Sequence, residues 1–307
     1  LLAAALKAAG GAAHPAEGGV AVRVLTAPRA SLVACVNETP APARRRVVVE
    51  GRPVEIPVEA FRSRLVLIER NTGRVIAATP GESFTDVPLS QMRKTIAKRL
   101  AQSIGPVPTF YLTAEADMER AAAARESLNA LGEGKVSFND IILKATAVAL
   151  RQHPACNAWW QDDRIRYWTD VHLSMAVAIE DGLITPVIRH ADRKTLREIG
   201  AEARDLAERA RARKLAPEEY TGGTFSVSNL GMFDIDEFTA IINPPEAGIL
   251  AVGRIAEKVV AHEGQPAVRR QLRLTMSCDH RVIDGATGAA FLRTLVRMLE
   301  NPLALVW

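Results

Sequence analysis

Apolar positions along the chain follow two periods, and the change between them predicts its elements. In QMRKTIAKRLAQS, Met92, Ile96 and Leu100 recur every fourth residue behind Ser90, so the spacing predicts a capped helix with one apolar stripe and a basic flank. FYLTAEA alternates like a half-buried strand. DMERAAAARESLNALG reads as a helix stopped at Gly132, and Ser137 caps a further helix over FNDIILKATAVALRQH. VHLSMAVAIE and LITPVIR flank Asp181 and Gly182, a tight-turn pair that predicts a β-hairpin. Leu196, Ile199, Ala203, Leu206 and Ala210 mark a long amphipathic helix. Strand signals follow in GTFSVSN, FTAIIN, AGILAVGRI, KVVAH and AVRRQLRLTMSCD, before the helix GATGAAFLRTLVRMLENP. No unit of about 20 to 50 residues repeats, which excludes solenoids and propellers.

The first third has a different texture. Residues 1–46 are rich in Ala, Pro and Gly and end in TPAPARRR, a composition that predicts a linker or weakly ordered tail. Residues 47–86 turn β-rich, with VVVEGRPVEIPV and then RLVLIER and RVIAATP about a turn at Asn71, Thr72 and Gly73, a predicted hairpin. The expected division is a tail over 1–46, a β-rich segment over 47–86 and one larger domain over 87–307.

Composition narrows the function classes. With 48% hydrophobic and 24% charged residues in 307, the chain has the make-up of a globular protein with a sizeable core. No run of about 18 uncharged apolar residues predicts a membrane span. The opening LLAAALKAAGGAA has Lys7 in the wrong place for a secretory signal, and a start at Leu1 suggests a fragment. Residues 1–86 hold 11 Lys and Arg against 8 Asp and Glu, leaving 28 against 27 afterwards, so the net charge of +4 is no basic face. With 5% aromatics in addition, nucleic acid is a poor partner. Cys35, Cys156 and Cys278 are odd in number and lack CxxC spacing, which fits a reducing compartment without disulfides.

Reactive residue types are densest in SCDHRVIDG, residues 277–285, at a predicted strand-to-helix junction. His280 there can act as a general base, since imidazole exchanges protons near neutral pH. The same residues also read as a capped helix start, with Asp284 accepting the first N–H groups and His280 an edge residue. Zinc is weakly supported, because Cys278, His280 and Asp284 have no second Cys or His pair at ligand spacing. No GxGxxG or Walker loop supports nucleotide hydrolysis. Trp159 and Trp160 read as edge packing.

SCDHRVIDGA, preceded by TFSVSNLGMF and AIINPPEAGILAVG, closely resembles the catalytic domain of the dihydrolipoamide acyltransferases of 2-oxoacid dehydrogenase complexes. MRKTIAKRLAQS, VSFNDIILKATAVAL and DGLITPVI are similar too, so the resemblance covers about residues 87–307. It implies an α/β fold of the α+β kind, chloramphenicol acetyltransferase-like, with helices on a mixed sheet. It also implies trimers with active sites between subunits, built into a larger core.

The resemblance further implies residue roles. His280 would take the proton of the coenzyme A thiol, and Ser228 would donate to the oxyanion formed when the thiolate attacks an acetylated dihydrolipoyl group. Asn229 would support Ser228. Asp284 would hold an arginine, with Arg93 of QMRK the candidate, and Lys144 of FNDIILKA would contact coenzyme A. No resident metal is implied. The implied partners are lipoyl domains and the decarboxylase and dihydrolipoamide dehydrogenase subunits of the complex, in bacterial cytoplasm, or in the mitochondrial matrix for a eukaryotic source.

IAKRLAQS, FYLTAE and SNLGMF are most similar to the pyruvate-complex members, so the acyl group expected is acetyl. The family's lipoyl domains carry a modified lysine between Asp and Ala, and residues 1–86 contain no such triplet. The lipoyl arm is therefore expected from outside this stretch. Two other functions compete: a catalytically silent docking subunit of the same fold, and a free chloramphenicol-type O-acetyltransferase.

Overall fold

The computed structural model describes residues 12–305 apart from 18, 27, 61, 79–87, 133 and 181. They fall into two units, Leu1–Pro88 and Leu89–Trp307. The expected boundary at 86 and the turn residue Asp181 lie outside the described residues.

The described residues of the first unit form β-strands and their connections, without a helix. Strands β1 (Ala12–Glu17), β2 (Val20–Thr26), β3 (Ala30–Asn37), β6 (Ser63–Glu69) and β7 (Val75–Ala78) form an antiparallel sheet, and β4 (Ala43–Val49) pairs with β5 (Arg52–Val58). A linker over 1–46 is thus corrected for residues 12–46. Period-two burial, hidden by the Ala-rich composition, places Val20, Val22, Val33 and Cys35 in one core with Val47, Val49, Ile56, Val66 and Ile68. The β4–β5 hairpin closes through Glu50 and Gly51, both at positive φ (51° and 75°), the backbone that matches strand twist. The hairpin expected about Asn71 is β6–β7.

The second unit is built on a six-stranded mixed sheet. Its members are β8 (Thr109–Asp117), β11 (Leu173–Met175), β14 (Val187–Ile188), β15 (Phe225–Asn229), β16 (Gly248–His262) and β17 (Gln265–Asp279), in the order β14-β11-β15-β16-β17-β8. Strand β15 runs parallel to both neighbours, and the other pairings are antiparallel. The two strands expected from AGILAVGRI and KVVAH are one, β16, with a register shift between Val252 and Ile255. FTAIIN is not a strand. Its alternation reflects one buried residue, Ile242, in a cluster with Val107 and Ile249, and β17 already pairs with β16 and β8 and offers no free edge.

Outside the main sheet lie β9 (Ala158–Gln161) with β10 (Arg164–Tyr167), and β12 (Val177–Ile179) with β13 (Gly182–Ile184), the second pair within the expected hairpin. The helices are α1 (Gln91–Ala101), α2 (Glu119–Ala130), α3 (Phe138–Gln152), α4 (Leu196–Arg211) and α5 (Gly285–Glu300), all in segments where the periodicity predicts them. Ser137 and Asp140 form a reciprocal capping box at the start of α3, with bonds of 3.2 and 2.9 Å. Thr195 and Glu198 do the same for α4. Phe225 of β15 meets Phe291 of α5 at 5.7 Å in the core, and both are fully buried. The three cysteines are free and buried. Among the described residues no helix is long and apolar enough to cross a membrane.

Candidate active site

His280 stands in the turn between β17 and α5, and its exposure contrasts with the buried run Leu274–Asp279 before it. Two anchors hold that turn. The His280 amide donates to the Pro108 carbonyl at 3.0 Å, and the imidazole lies 4.8 Å from the Phe110 ring. Next door, the buried Asp279 carboxylate accepts from Arg281 Nε at 2.9 Å and Nη2 at 2.7 Å, and Arg281 covers Trp160 at 4.4 Å. The residues flanking His280 are therefore locked while its ring faces outward. Trp160 gains this cation–π role beyond edge packing, whereas Trp159 packs edge-on to Trp168 and donates to the Gly223 carbonyl.

Asp284 is the N-cap of α5. Its Oδ1 accepts from Thr287 N at 2.7 Å, and that hydrogen bond is the main reason its carboxyl is held below the ordinary range. The expected ion pair with Arg93 is not formed within the chain. Asp284 spends its oxygen on the helix start, and Arg93 lies exposed in the first turn of α1, its amide bonded to Ser90 Oγ.

Ser228 lies half-buried near the end of β15, on the wall of a cavity of about 830 Å³ shared with Ser137, Asn139, Met175 and Arg204. Asn229 shapes the turn that follows. Its Oδ1 accepts from Gly231 N at 2.9 Å and its Nδ2 donates to Asn139 Oδ1 at 3.0 Å. Lys144, expected at coenzyme A, donates instead to the carbonyls of Asp192 (2.9 Å) and Lys194 (2.7 Å), and burial lowers its pKa. Two of its three N–H groups brace the segment leading into α4, a structural duty.

Strand register measures how far the two principal residues are apart. Ser228 pairs with Ala251, and Ala251 with Thr275, five residues before His280. Two strand spacings across and five residues along put Ser228 and His280 about 20 Å apart in one chain. A hydrogen-bonded reacting centre cannot span that gap.

Glu246 is a buried group to which the sequence motifs assign nothing. It is 4% exposed, and its carboxyl accepts from Ser174 Oγ at 2.9 Å and Ser226 Oγ at 2.5 Å. Ser174 and Ser226 face each other across β11 and β15, and Ser226 shares a strand face with Ser228, so Glu246 ties the two strands beneath that residue. Burial pushes its pKa up to about 7. Only the run NPPE, unusual before a strand, marks this site in the sequence.

The mixed sheet with its helices is shared with solved acyltransferase cores. The dihydrolipoamide acetyltransferase of Azotobacter vinelandii superposes with a TM-score of 0.71 at 34% identity, over 74% of this chain and 96% of that one. The cubic core of the pyruvate dehydrogenase multienzyme complex also gives 0.71, at 33% identity over the same shares. Residues 81–307 match the 2-oxoacid dehydrogenases acyltransferase family (catalytic domain), and the chain belongs to that family. It is 46% identical over 270 residues to the dihydrolipoyllysine-residue acetyltransferase component of the mitochondrial pyruvate dehydrogenase complex of Schizosaccharomyces pombe, covering 83% of this chain and 56% of the relative. The chain spans about half the length of the curated relatives it matches.

Proposed function

We propose that the chain transfers an acetyl group between a dihydrolipoyl arm and coenzyme A, in a site completed by a second copy of itself. One observation carries the reading. The Azotobacter vinelandii enzyme was investigated for the catalytic roles of a serine, a histidine and an asparagine that stand 52 and then 4 positions apart, and Ser228, His280 and Asp284 stand at the same two intervals. The 20 Å between Ser228 and His280 supports a site shared between chains. Similarity to a cubic core supports trimers assembled into a larger particle.

The chemistry follows from the residue types. A free thiol titrates near 8.5, so at neutral pH an adjacent base is needed to raise its nucleophilicity. His280, outward-facing on a rigid turn, takes the proton of the coenzyme A thiol. The thiolate attacks the acetyl carbonyl of the dihydrolipoyl thioester, and the oxyanion accepts a hydrogen bond from Ser228 Oγ of the neighbouring chain. Collapse breaks the old carbon–sulfur bond, and the departing dihydrolipoyl thiolate takes the proton back from His280. Asp284 fixes the start of α5 four residues beyond the base.

Lipoyl domains would bring the acyl group, and decarboxylase and dihydrolipoamide dehydrogenase subunits would load and reoxidise them, in the mitochondrial matrix or the bacterial cytoplasm according to source. The test is His280→Ala, assayed for acetyl transfer from acetyl-coenzyme A to dihydrolipoamide. Loss of a general base should cost about 10²- to 10⁴-fold with little change in melting temperature. A folded, assembled variant keeping more than about a tenth of the turnover would refute the assignment.

A further inference from the structure

We propose that Glu246 is a positioning residue for acyl transfer, holding Ser174 and Ser226 on one carboxyl and thereby fixing the strand from which Ser228 presents its hydroxyl. The proposal rests on the reading of Ser228 as the oxyanion donor. Ser228 needs such support. The last pair between β11 and β15 is Met175 with Val227, so Ser228 stands one residue beyond that ladder and is paired only with Ala251 of β16. Among the described residues nothing hydrogen-bonds its Oγ, so the place of that hydroxyl is set by the backbone of β15.

Glu246 controls that backbone two residues earlier. Its Oε1 accepts from Ser174 Oγ at 2.9 Å and its Oε2 from Ser226 Oγ at 2.5 Å, across the pairing of Ser174 with Ser226. Gly223 closes over the same group. A Cβ there would lie 1.8 Å from Ser174 Oγ and 2.9 Å from Glu246 Oε1, and the Gly223 carbonyl is itself held by Trp159 Nε1 at 2.9 Å. The acid's own backbone is fixed independently, since the Ala247 amide donates to the Ala158 carbonyl at 3.0 Å and the Ala247 carbonyl accepts from Asp279 N at 2.9 Å. Those main-chain bonds do not depend on the Glu246 side chain, so its carboxyl is a rigid anchor that can be replaced by itself.

Stability alone does not account for the group. Ser174, Ser226 and Asn243, the last at 3.5 Å, are uncharged, and no cation pairs with the carboxyl among the described residues. Burying a carboxyl without a cation costs more than burying an apolar side chain of similar size. What Glu246 supplies is geometry beneath an aimed donor, where a displacement of about 1 Å can cost about 10²-fold in rate.

The test measures kcat and KM for acetyl transfer from acetyl-coenzyme A to dihydrolipoamide in assembled wild type and variants. Glu246→Met fills the space without a carboxyl oxygen, and we expect kcat about 10- to 10²-fold down with each KM within about twofold, the split of a contact felt in the transition state. Glu246→Gln offers an acceptor to one serine and a donor to the other, so it should stay within about threefold of wild type. Combined with Ser228→Ala, Glu246→Met should cost no more than about a further twofold, because the donor it positions is already gone. Ser226→Ala, which removes a single oxygen, should repeat the pattern and decides the matter if Glu246→Met does not assemble. Wild-type kcat in Glu246→Met or Ser226→Ala, equal losses in Glu246→Met and Glu246→Gln, or a full further loss on top of an impaired Ser228→Ala would overturn the role of Glu246. Wild-type turnover in Ser228→Ala would instead overturn the oxyanion donor on which the proposal rests.

Discussion

Random reassembly of two inactive variants tests the shared site directly. Take His280→Ala and Ser228→Ala chains, unfold them together in equal amounts and refold. Each parent lacks one half of the chemistry, and the serine variant should be down about 10²- to 10³-fold for loss of one oxyanion donor. With about 20 Å between the two positions in a chain, a site cannot draw both from the same copy. In a closed ring of three, every site takes its histidine from one chain and its serine from the next. A site is intact when a Ser228→Ala chain supplies the histidine and a His280→Ala chain supplies the serine, which random order gives at about one quarter of sites. Acetyl transfer to dihydrolipoamide should therefore recover to roughly a quarter of wild type, far above either parent, while mixing pre-assembled parents recovers nothing. If mixed trimers, verified by mass, never exceed the mean of their parents, the intersubunit site and the role of Ser228 both fall.

Three further outcomes follow from individual contacts. Asp284→Asn keeps the oxygen that caps α5, so melting should hardly change; activity more than about tenfold down would show that the charge matters, and wild-type activity would confine Asp284 to capping. Glu246 has a folded pKa of about 7 against an ordinary 4.5, so the neutral acid is the form the fold favours. Its contribution is fully present below pH 4.5 and lost as pH rises to about 7, about 3 kcal/mol in all, and Glu246→Gln should flatten that part of the stability profile in urea titrations. An unchanged slope would refute the neutral-acid assignment. Lys144→Met should cost about 1 to 3 kcal/mol by stripping two carbonyls of their donor, yet leave the KM for coenzyme A within about twofold; a large KM rise would restore the lysine to the substrate site.

Four of the five helices of the second unit carry their own start signal, since Ser90, Ser137, Thr195 and Asp284 all cap where the periodicity begins; α2, with Met118 before it, was legible from its run of helix formers and its stop at Gly132. The motif about His280 was legible as a cluster, and so was its place at a strand-to-helix junction. What sequence could not supply is anything set by partners far along the chain. Arg281 stacks on Trp160, Lys144 reaches Asp192 and Lys194, and Ser174 meets Glu246, pairs that no local spacing encodes. An arginine partner for Asp284 is likewise a long-range matter: Arg93 is named by motif, and within one chain the Asp284 contact that forms is the local one, Oδ1 to Thr287 N. In the first unit, alanine and proline content concealed valines at every second position, and composition overruled a periodicity that was present.

The pairing of β8 with β17 also governs how the chain is made. β8 ends at Asp117 and its partner β17 at Asp279, so the outer strand waits for some 160 residues of synthesis before it has a mate. At about 5 to 20 residues per second the delay is roughly ten to thirty seconds, with a nine-residue strand unpaired throughout. On a ribosome, the nascent domain is thus an open edge awaiting closure, and the strand that closes it is also the one that delivers His280. The base is made directly after the last residue of the closing strand, so a product truncated within β17 lacks both a finished sheet and its histidine.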